Sequence, residues 1–410
     1  MNILYINHYA GSPKHGMEFR PYYLAKAWLA LGHKVTIVAA NHSHLRQLNP
    51  TLTQATLAEN IDGVDYLWLK TLSYTSNGLK RVLNIFHFLW ALWLTRKRLA
   101  ASQPDLIIAS STYPLDAIFA HYLAKKTGAR WVYEVHDLWP LTPVEVGGMS
   151  PYHPFILLLQ WAENFAYKKA DKVISMLPLA KEHMQAHGMP AANYGLVPNG
   201  IQIEEWMGNQ SALEPNLLAT LAQFKANNRF MLGYAGGHGW ANALTDLLSA
   251  MAILQEQQAP IQLVLVGSGP DKAALEQQAL NLGLHNVTFL AALPKSQIPA
   301  FLDQMDGLYL GWRRLPIYRF GINPNKLFDY MMAKKPIVHA ISYGNDSVAT
   351  AQAGLSCAAE DPSAIALTIL QLAKLTPEER LILGENGQNY VLKHHDYRVL
   401  AQHFLDLAFH

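Results

Sequence analysis

A lysine and an aspartate stand three residues apart after a turn marked by glycine and proline, at Lys326 and Asp329. The sequence predicts a loop and a short helix over 321–330 and a strand over 336–341. Backbone amides at a helix N-terminus bind anions, and a lysine in the first turn adds a point charge for a phosphate. An aspartate one turn later can accept from hydroxyls. This chemistry suits a nucleotide-sugar, although an ordinary helix cap with a solvated lysine has the same pattern.

Glycine-marked turns follow three other predicted strands, at 11–20, 236–242 and 267–270. Glycine permits positive φ and lets the backbone approach a phosphate closely. The turn at 267–270 lacks the third glycine of a dinucleotide fingerprint, which argues against a nicotinamide cofactor. Each turn alone is weak evidence, but together with Lys326 they favour a diphosphate ligand.

Strands and helices alternate along the chain and must position these turns. Predicted strands of the first half are 2–8, 34–40, 64–70, 105–110, 130–136 and 172–176. Those of the second half are 230–235, 261–266, 287–290, 307–310, 336–341 and 355–359. Helical patterns separate these short apolar runs, which predicts parallel sheets and two doubly wound α/β domains. Ligands of such domains bind at the carboxyl ends of the strands.

Composition excludes several classes of protein. The chain has 410 residues, of which half are hydrophobic, and its net charge of +2 gives no argument for a nucleic-acid partner. The single cysteine, Cys357, excludes an intramolecular disulfide and a cysteine-based metal cluster. The histidines form no recognised metal motif, and no Asp-x-Asp pair suits a metal bridged to phosphates. The N-terminus lacks a secretory pattern, so a cytoplasmic location is expected.

An aromatic, apolar run at 82–94 has basic residues at both ends: Lys80, Arg81, Arg96, Lys97 and Arg98. A membrane-spanning helix needs about 20 apolar residues, and this run is too short. Basic flanks and aromatic content are typical of a helix at an anionic membrane surface. A buried crossover helix with solvated ends explains the run equally well, and both interpretations stay open.

Motifs along nearly the whole chain carry a resemblance to a known family. After the turn that ends at Arg20 come GHKVTIV (32–38), YEVHDLWP (133–140), ADKVI (170–174), VPNG (197–200), GYAG (233–236), VGSGP (266–270) and PNKLFDY (324–330). Together they resemble the family 4 (group 1) retaining glycosyltransferases. Within that family the chain resembles the bacterial surface-polysaccharide branch of the N-acetyl-L-fucosamine transferase type.

The resemblance implies a GT-B architecture of two Rossmann-like domains that face each other across a cleft. It implies an acceptor domain over 1–205, a nucleotide-sugar domain over 206–385, and a C-terminal helix over 386–410 that returns to the first domain. The implied enzyme transfers a hexosyl or N-acetylhexosaminyl group, with retention and without a metal or cofactor. The donor would be UDP-linked, and the acceptor a lipid-linked or other oligosaccharide of lipopolysaccharide, O-antigen or capsule synthesis. It would act at the inner face of the plasma membrane. Alternatives of the same fold are a nucleotide-sugar epimerase or hydrolase and a catalytically silent partner subunit.

The resemblance also assigns individual residues. The donor-binding residues are Gly16, Gly237, His238, Gly239, Gly269, Leu293, Asn325, Lys326 and Asp329. His136 and Asp137 are the expected catalytic residues, and Glu18 and Arg20 lie on the acceptor side. In two places the chain departs from the family. Gly321 occupies a position where an acid is usual, and His238 and Asn242 replace an Arg-and-Lys pair. Lys326, with Arg313, Arg314 or Arg319, would then supply the positive charge.

Overall fold

A computed structural model describes residues 1–17, 19–74, 78–208 and 211–410. The predicted acceptor-side residue Glu18 lies outside these ranges. The chain forms two compact units: unit 1 comprises Met1–Asn199 and Tyr397–His410, and unit 2 comprises Gly200–Asp396.

Unit 1 is built on an eight-stranded sheet. Its strands are β1 (Asn2–Ile6), β2 (Lys34–Ala40), β3 (Thr56–Ile61), β4 (Val64–Leu69), β5 (Leu106–Ala109), β6 (Arg130–Val135), β7 (Lys172–Ser175) and β8 (Tyr194–Leu196). The strand order is β3-β4-β2-β1-β5-β6-β7-β8, and only the edge strand β3 is antiparallel to its neighbour. All six strands predicted for this half are present. The edge strands β3 and β8 were missed, because one is largely polar and the other has three residues.

Helices cover the sheet of unit 1 where the alternation predicted them. They are α1 (Arg20–Ala30), α2 (Leu79–Ala101), α3 (Asp116–Thr127), α4 (Leu141–Glu145), α5 (Pro154–Lys169) and α6 (Lys181–Ala186). Helix α2 contains the whole apolar run at 82–94 together with its basic flanks. None of the helices in the described ranges combines the length and apolarity that crossing a membrane requires.

Unit 2 contains a six-stranded, fully parallel sheet in the order β11-β10-β9-β12-β13-β14. Its strands are β9 (Phe230–Ala235), β10 (Ile261–Val266), β11 (Val287–Leu290), β12 (Gly307–Gly311), β13 (Ile337–Ala340) and β14 (Gly354–Cys357). Its helices are α7 (Ile203–Gly208), α8 (Pro215–Ala226), α9 (Leu244–Glu256), α10 (Lys272–Asn281), α11 (Ile298–Asp303), α12 (Asn325–Met332), α13 (Ser347–Thr350), α14 (Pro362–Lys374) and α15 (Pro377–His394).

The last helix, α16 (Tyr397–Phe409), folds with unit 1. Its backbone accepts a hydrogen bond at Ala401 from the indole nitrogen of Trp28 on α1, at 2.9 Å. The returning segment therefore begins at 397 rather than at the expected 386. The units divide after 199 rather than after 205, because the Ile201 amide donates to the His395 carbonyl (2.8 Å) within unit 2.

Two glycine turns of unit 2 meet because β9 and β10 are paired in register, from Ile261 opposite Phe230 to Val266 opposite Ala235. The His238 amide donates to the Ser268 carbonyl (2.9 Å), and the Asp271 amide donates to the His238 carbonyl (3.0 Å). At Gly267 φ is +148°, and a Cβ there would lie 1.9 Å from the Gly236 carbonyl oxygen. Glycine is therefore required where the two backbones cross.

Gly267→Ala should destabilise unit 2 by about 3 kcal/mol, because the added methyl collides with backbone and φ is unfavourable for an L-residue. Thermal unfolding measures the effect. Gly239→Ala is the matched control, since φ is −127° there and nothing lies within 4 Å of the added Cβ. Equal unfolding midpoints for the two variants would contradict the close contact between the turns.

Candidate nucleotide-sugar site and buried charge network

Lys326 extends from the first turn of α12 to the turn that follows β9. Its Nζ atom donates to the Tyr234 hydroxyl (2.9 Å) and to Asn242 Oδ1 (2.5 Å). A Cβ built on Gly236 would lie 3.3 Å from this Nζ. The structure thus joins the two sequence features that predicted an anion site, the Lys326 turn and the glycine turn at 236–242.

No acid among the described residues balances the charge of Lys326. Burial lowers the pKa of Lys326 to about 8, and its recorded partners in the described part of the chain are the two neutral groups above. Keeping a cation partly out of water without a counter-charge costs free energy. First-turn amides of a helix also lack intrahelical partners. A bound anion would satisfy both the ammonium group and these amides.

Asp329 lies one turn further along α12 and is half-buried. Burial raises the pKa of Asp329 to about 7, and the opposing charge of Lys295 only partly offsets it. Within the described ranges no hydrogen bond to its carboxyl group is recorded, and it forms no salt bridge with Lys326. The carboxyl group therefore remains available to accept from hydroxyls. Leu293, in the same loop as Lys295, packs against the core that contains Leu327.

His238 is completely buried between the two glycine turns of unit 2. Neither ring nitrogen has a hydrogen-bond partner among the described residues. Burial lowers the pKa of His238 to about 4, and the charges of Lys272 and Lys326 add to the shift. The ring is therefore neutral near pH 7 and offers hydrogen-bonding capacity that the protein leaves unused. Four other expected donor-site residues are less buried: Gly237, Gly239, Gly269 and Asn325.

Arg313 does not replace the missing cationic pair. Its guanidinium group contacts Asp246 and Glu360 at 3.0 Å each, so two carboxylates neutralise it. The Arg314 side chain donates to the Ala359 carbonyl (2.7 Å). Arg319 is exposed and lies over the Phe320 ring. The expectation that Arg313 supplies free positive charge was therefore wrong.

The departure at Gly321 has a backbone explanation. Gly321 follows the 3-10 turn Pro316–Phe320 with φ +104° and ψ 160°, a conformation that side-chain-bearing residues rarely adopt. A Cβ on Gly344 would lie 3.2 Å from the Gly321 Cα atom, so the neighbouring loop also packs closely there. An acid at 321 would strain this local fold.

Glu134 lies on β6 and is the centre of a buried charge network in unit 1. It accepts from Arg20 (Nη2 at 2.9 Å, Nε at 3.1 Å), from Ser110 Oγ (2.5 Å) and from the Tyr5 hydroxyl. His136 Nε2 lies 2.9 Å from the same carboxylate. Burial alone would raise the pKa of Glu134, but the charges of Arg20 and His136 and the hydrogen bonds hold it well below its usual range. The carboxylate is therefore ionised at neutral pH.

The network fixes the expected catalytic residue His136. Its Nε2 atom lies 2.7 Å from Ser110 Oγ as well as near Glu134, and the side chain is 16% exposed. The adjacent Asp137 accepts from the Leu138 amide (2.9 Å) and the Thr142 hydroxyl (2.7 Å), and burial raises its pKa. Asp137 thus stabilises the turn into α4, and a catalytic role for it stays a prediction.

Arg20 and Gly16 have structural roles that the sequence did not reveal. Arg20 is 5% exposed and also donates to the carbonyls of Val197 (2.9 Å) and Pro198 (2.6 Å). Contact of Arg20 with an acceptor stays a prediction. Gly16 has φ +79°, and a Cβ there would lie 2.8 Å from the Gln47 side chain. The assignment of Gly16 to donor binding likewise stays a prediction.

Sequence reasoning missed Glu134, Ser110 and Tyr5. A signal was present in the strand 130–135, since an acid in the middle of a buried strand must find a positively charged or hydrogen-bonding partner. It did not identify the partners, which lie on other elements.

The two parallel α/β units place the protein in the GT-B class. Two solved structures illustrate the likeness over nearly complete chains. Sucrose-phosphate synthase from Thermosynechococcus elongatus has a TM-score of 0.71 at 18% identity and covers 99% of this chain and 98% of its own. Anabaena HepE in complex with UDP and glucose has a TM-score of 0.66 at 17% identity, with coverage of 99% and 98%. At these identities the likeness shows the fold alone.

Residues 15–200 match the family described as "Glycosyl transferase 4-like domain", and residues 222–390 match "Glycosyl transferases group 1". The chain belongs to the group 1 glycosyltransferases, which confirms the resemblance at the level of that family. It is similar to the probable glycosyltransferase WbjE of Pseudomonas aeruginosa, with 23% identity over 338 residues (77% of this chain, 78% of WbjE). The putative colanic acid biosynthesis glycosyl transferase WcaI of Escherichia coli (strain K12) is 24% identical over 292 residues (68% of this chain, 69% of WcaI).

Lys326→Ala should weaken binding of UDP about 10- to 100-fold but change binding of uridine less than about twofold, because a lysine charge acts on the diphosphate. Asp329→Ala should weaken both ligands, because the ribose is common to them. Titration calorimetry measures both affinities, and the exposed Lys374→Ala is the control for loss of a lysine. Unaltered affinities in both variants would remove this site from consideration.

The pH dependence of uridine binding distinguishes a direct role of Asp329 in binding from a general loss of folded structure. Ribose hydroxyls favour the ionised carboxyl group, so the pKa of about 7 should fall on binding. Uridine affinity of the wild type should therefore rise between pH 5 and pH 7 and level off above it. Asp329→Asn should remove this rise.

Proposed function

We propose that this enzyme is a retaining glycosyltransferase that moves a sugar from a UDP-linked donor to a lipid-linked saccharide in bacterial surface polysaccharide synthesis. The observation that carries the proposal is Lys326, a partly buried cation that lies against the glycine turn after β9 and has no carboxylate partner among the described residues. Names of relatives support the pathway, since WcaI is described as a colanic acid biosynthesis enzyme. HepE, of the same fold, has been solved with UDP and with UDP-glucose.

The donor chemistry that we propose needs no metal. Cleavage of the bond between the anomeric carbon and the diphosphate leaves the electron pair on a phosphate oxygen, while the sugar becomes oxocarbenium-like. Lys326 and the backbone amides of the glycine turns can stabilise the charge that develops on the diphosphate. The acceptor hydroxyl then bonds to the anomeric carbon on the face that the diphosphate leaves, and its proton passes to the departing phosphate. This sequence retains the anomeric configuration.

We assign a role to His136 in orienting the reacting sugar or acceptor. The ionised Glu134 can only accept, so His136 Nε2 carries the proton that faces it at 2.9 Å. The other ring nitrogen, Nδ1, has no hydrogen-bond partner within the described residues, and it is an acceptor whenever it carries no proton. Such an atom can accept from a sugar hydroxyl. The buried partners of His136 hold the ring in one orientation, which lowers the entropy cost of that contact.

His136→Ala should lower kcat for transfer at least about 100-fold, because it removes a positioned hydrogen-bonding group. The assay supplies UDP-sugars and lipid-linked acceptors, and proton NMR of the product reads the anomeric configuration. The exposed His285→Ala should keep normal turnover. Normal turnover of His136→Ala would contradict the role of His136, and an inverted product would contradict retention. A chemical change of the nucleotide-sugar in the absence of acceptor would instead favour an epimerase or hydrolase. Binding of the donor without any reaction would favour a catalytically silent partner subunit.

Helix α2 supports a proposal that the enzyme docks on the cytoplasmic face of the plasma membrane. Leu83, Phe86, Trp90 and Leu94 recur at helical spacing and are between 43% and 63% exposed. The opposite face, with Ile85, Phe88 and Leu92, is buried. The run was predicted to be either a crossover helix or a surface helix, and its two faces suit both roles. Phe88 and Leu92 belong to the apolar run that was expected to contact the membrane, but they are buried in the protein core.

Wild-type protein should sediment with vesicles that contain phosphatidylglycerol, and less so at high salt, because each basic residue near anionic lipid contributes about 1 kcal/mol. Changing Arg96, Lys97 and Arg98 to Glu should abolish this binding. Trp90→Gln should weaken it, because an exposed aromatic residue is lost from the interface. Leu280→Gln, a change at an exposed leucine of unit 2, is the control. Wild type that stays in the supernatant at every lipid composition would reject docking through α2.

A further inference from the structure

Three side chains that can ligate a metal meet in unit 1, apart from the charge network around Glu134. Glu163 lies on α5, His183 on α6 and His187 directly after α6. One ligand atom from each lies within 4.8 Å of the other two. Glu163 is 1% exposed, and both histidines are half-buried. The proposed transfer chemistry uses none of these residues.

The two histidines have the geometry of a ligand pair. They are four residues apart, which places them on one helical face, and their ring centroids are 4.3 Å apart. His187 Nδ1 lies 2.9 Å from the His183 carbonyl oxygen. A carbonyl can only accept, so Nδ1 carries the proton and Nε2 of the neutral ring keeps a lone pair. Metal-ligating histidines are usually oriented by such a bond from the other ring nitrogen.

Glu163 contributes a carboxyl group that no positively charged side chain pairs with, among the described residues. Its oxygens accept from the Tyr167 hydroxyl (3.0 Å) and from Gln160 Nε2 (2.9 Å), and no salt bridge to it is recorded in the described part of the chain. A buried carboxylate is costly unless a cation or metal pairs with it. Each oxygen keeps lone pairs beyond its present hydrogen bond.

We propose that Glu163, His183 and His187 bind one divalent transition-metal ion, Zn²⁺ in preference, in a site that joins α5 to α6. Zinc accepts imidazole nitrogen and carboxylate oxygen at roughly 2.0–2.2 Å in a tetrahedral arrangement, and a water molecule would complete it. Tetrahedral ligands at those distances are about 3.4 Å apart, so small side-chain rotations must bring the three atoms together. The sequence contains no recognisable metal motif here, because the third ligand comes from another helix.

The metal would have a structural role distinct from catalysis. Helix α6 has six residues and no side-chain N-cap, so it gains little stability from local interactions. A metal bound to both α5 and α6 would stabilise the folded chain by mass action. The diphosphate chemistry proposed for unit 2 is unaffected, because its ligands are different residues.

The test uses the full chain without a polyhistidine tag. After EDTA treatment and dialysis, titration calorimetry with Zn²⁺ and elemental analysis should give one ion per chain, and Zn²⁺ should raise the thermal unfolding midpoint. Co²⁺ in the site should give the intense visible absorption of tetrahedral coordination. Glu163→Gln, which preserves the side-chain shape and one acceptor oxygen, should weaken Zn²⁺ binding at least about tenfold. His183→Asn with His187→Asn should abolish stoichiometric binding and the rise in midpoint.

The control variant removes two exposed histidines, His285 and His403, as Asn. It should keep the ion and the stabilisation. Far-UV circular dichroism verifies that each variant is folded before binding is compared. Wild type that retains no more Zn²⁺ than the His183/His187 variant would overturn the site. An equal loss of Zn²⁺ binding in the control variant would also overturn the site, because it would assign the binding to surface histidines.

Discussion

Glu134 is a fully buried carboxylate on which the geometry of unit 1 depends. Arg20 of α1 neutralises it, while Tyr5 of β1 and Ser110 after β5 hydrogen-bond to it. Removing one partner of a buried ion pair typically costs about 3–5 kcal/mol, because the remaining charge stays buried and uncompensated. The same carboxylate orients the ring of His136 at the end of β6. One charge therefore couples the stability of unit 1 to the position of its candidate reactive side chain.

Unit 2 shows the opposite balance of charge. Lys326 is partly buried beside neutral groups, and the ring of His238 is buried without hydrogen bonds from the described residues. Such groups lower the stability of the ligand-free protein. A ligand that supplies negative charge and acceptors would recover that free energy on binding. The polar groups around Glu134 are paired with one another, which suits a structural role. Among the described residues, Lys326 lacks a charged partner and His238 lacks a hydrogen-bonding partner, which suits a binding site.

The sequence predicted the order of strands and helices well, because apolar periodicity and glycine turns are local signals. It did not predict the partners of charged residues. Arg313 was one of three arginines considered as a source of charge for a diphosphate, yet Asp246 and Glu360, distant in sequence, neutralise it. The sequence also did not predict which face of α2 is exposed, because apolar residues such as Phe88 and Trp90 occur on both sides of the helix. Pairing and facing depend on tertiary packing, which residue types alone do not encode.

The glycine at 321 shows how unit 2 can manage with fewer charged side chains. At Gly321 the backbone has φ +104°, a conformation that is unfavourable for an acidic residue. Within the described part of the chain, no carboxylate neutralises Lys326. A diphosphate bound there would meet mainly backbone dipoles. Those dipoles are fixed in advance, because the His238 and Ser268 backbones are hydrogen-bonded to each other across the two turns. Fixed amides need no reorganisation as charge develops on a leaving phosphate, so rigid glycine turns can do part of what the missing cations do elsewhere in the family.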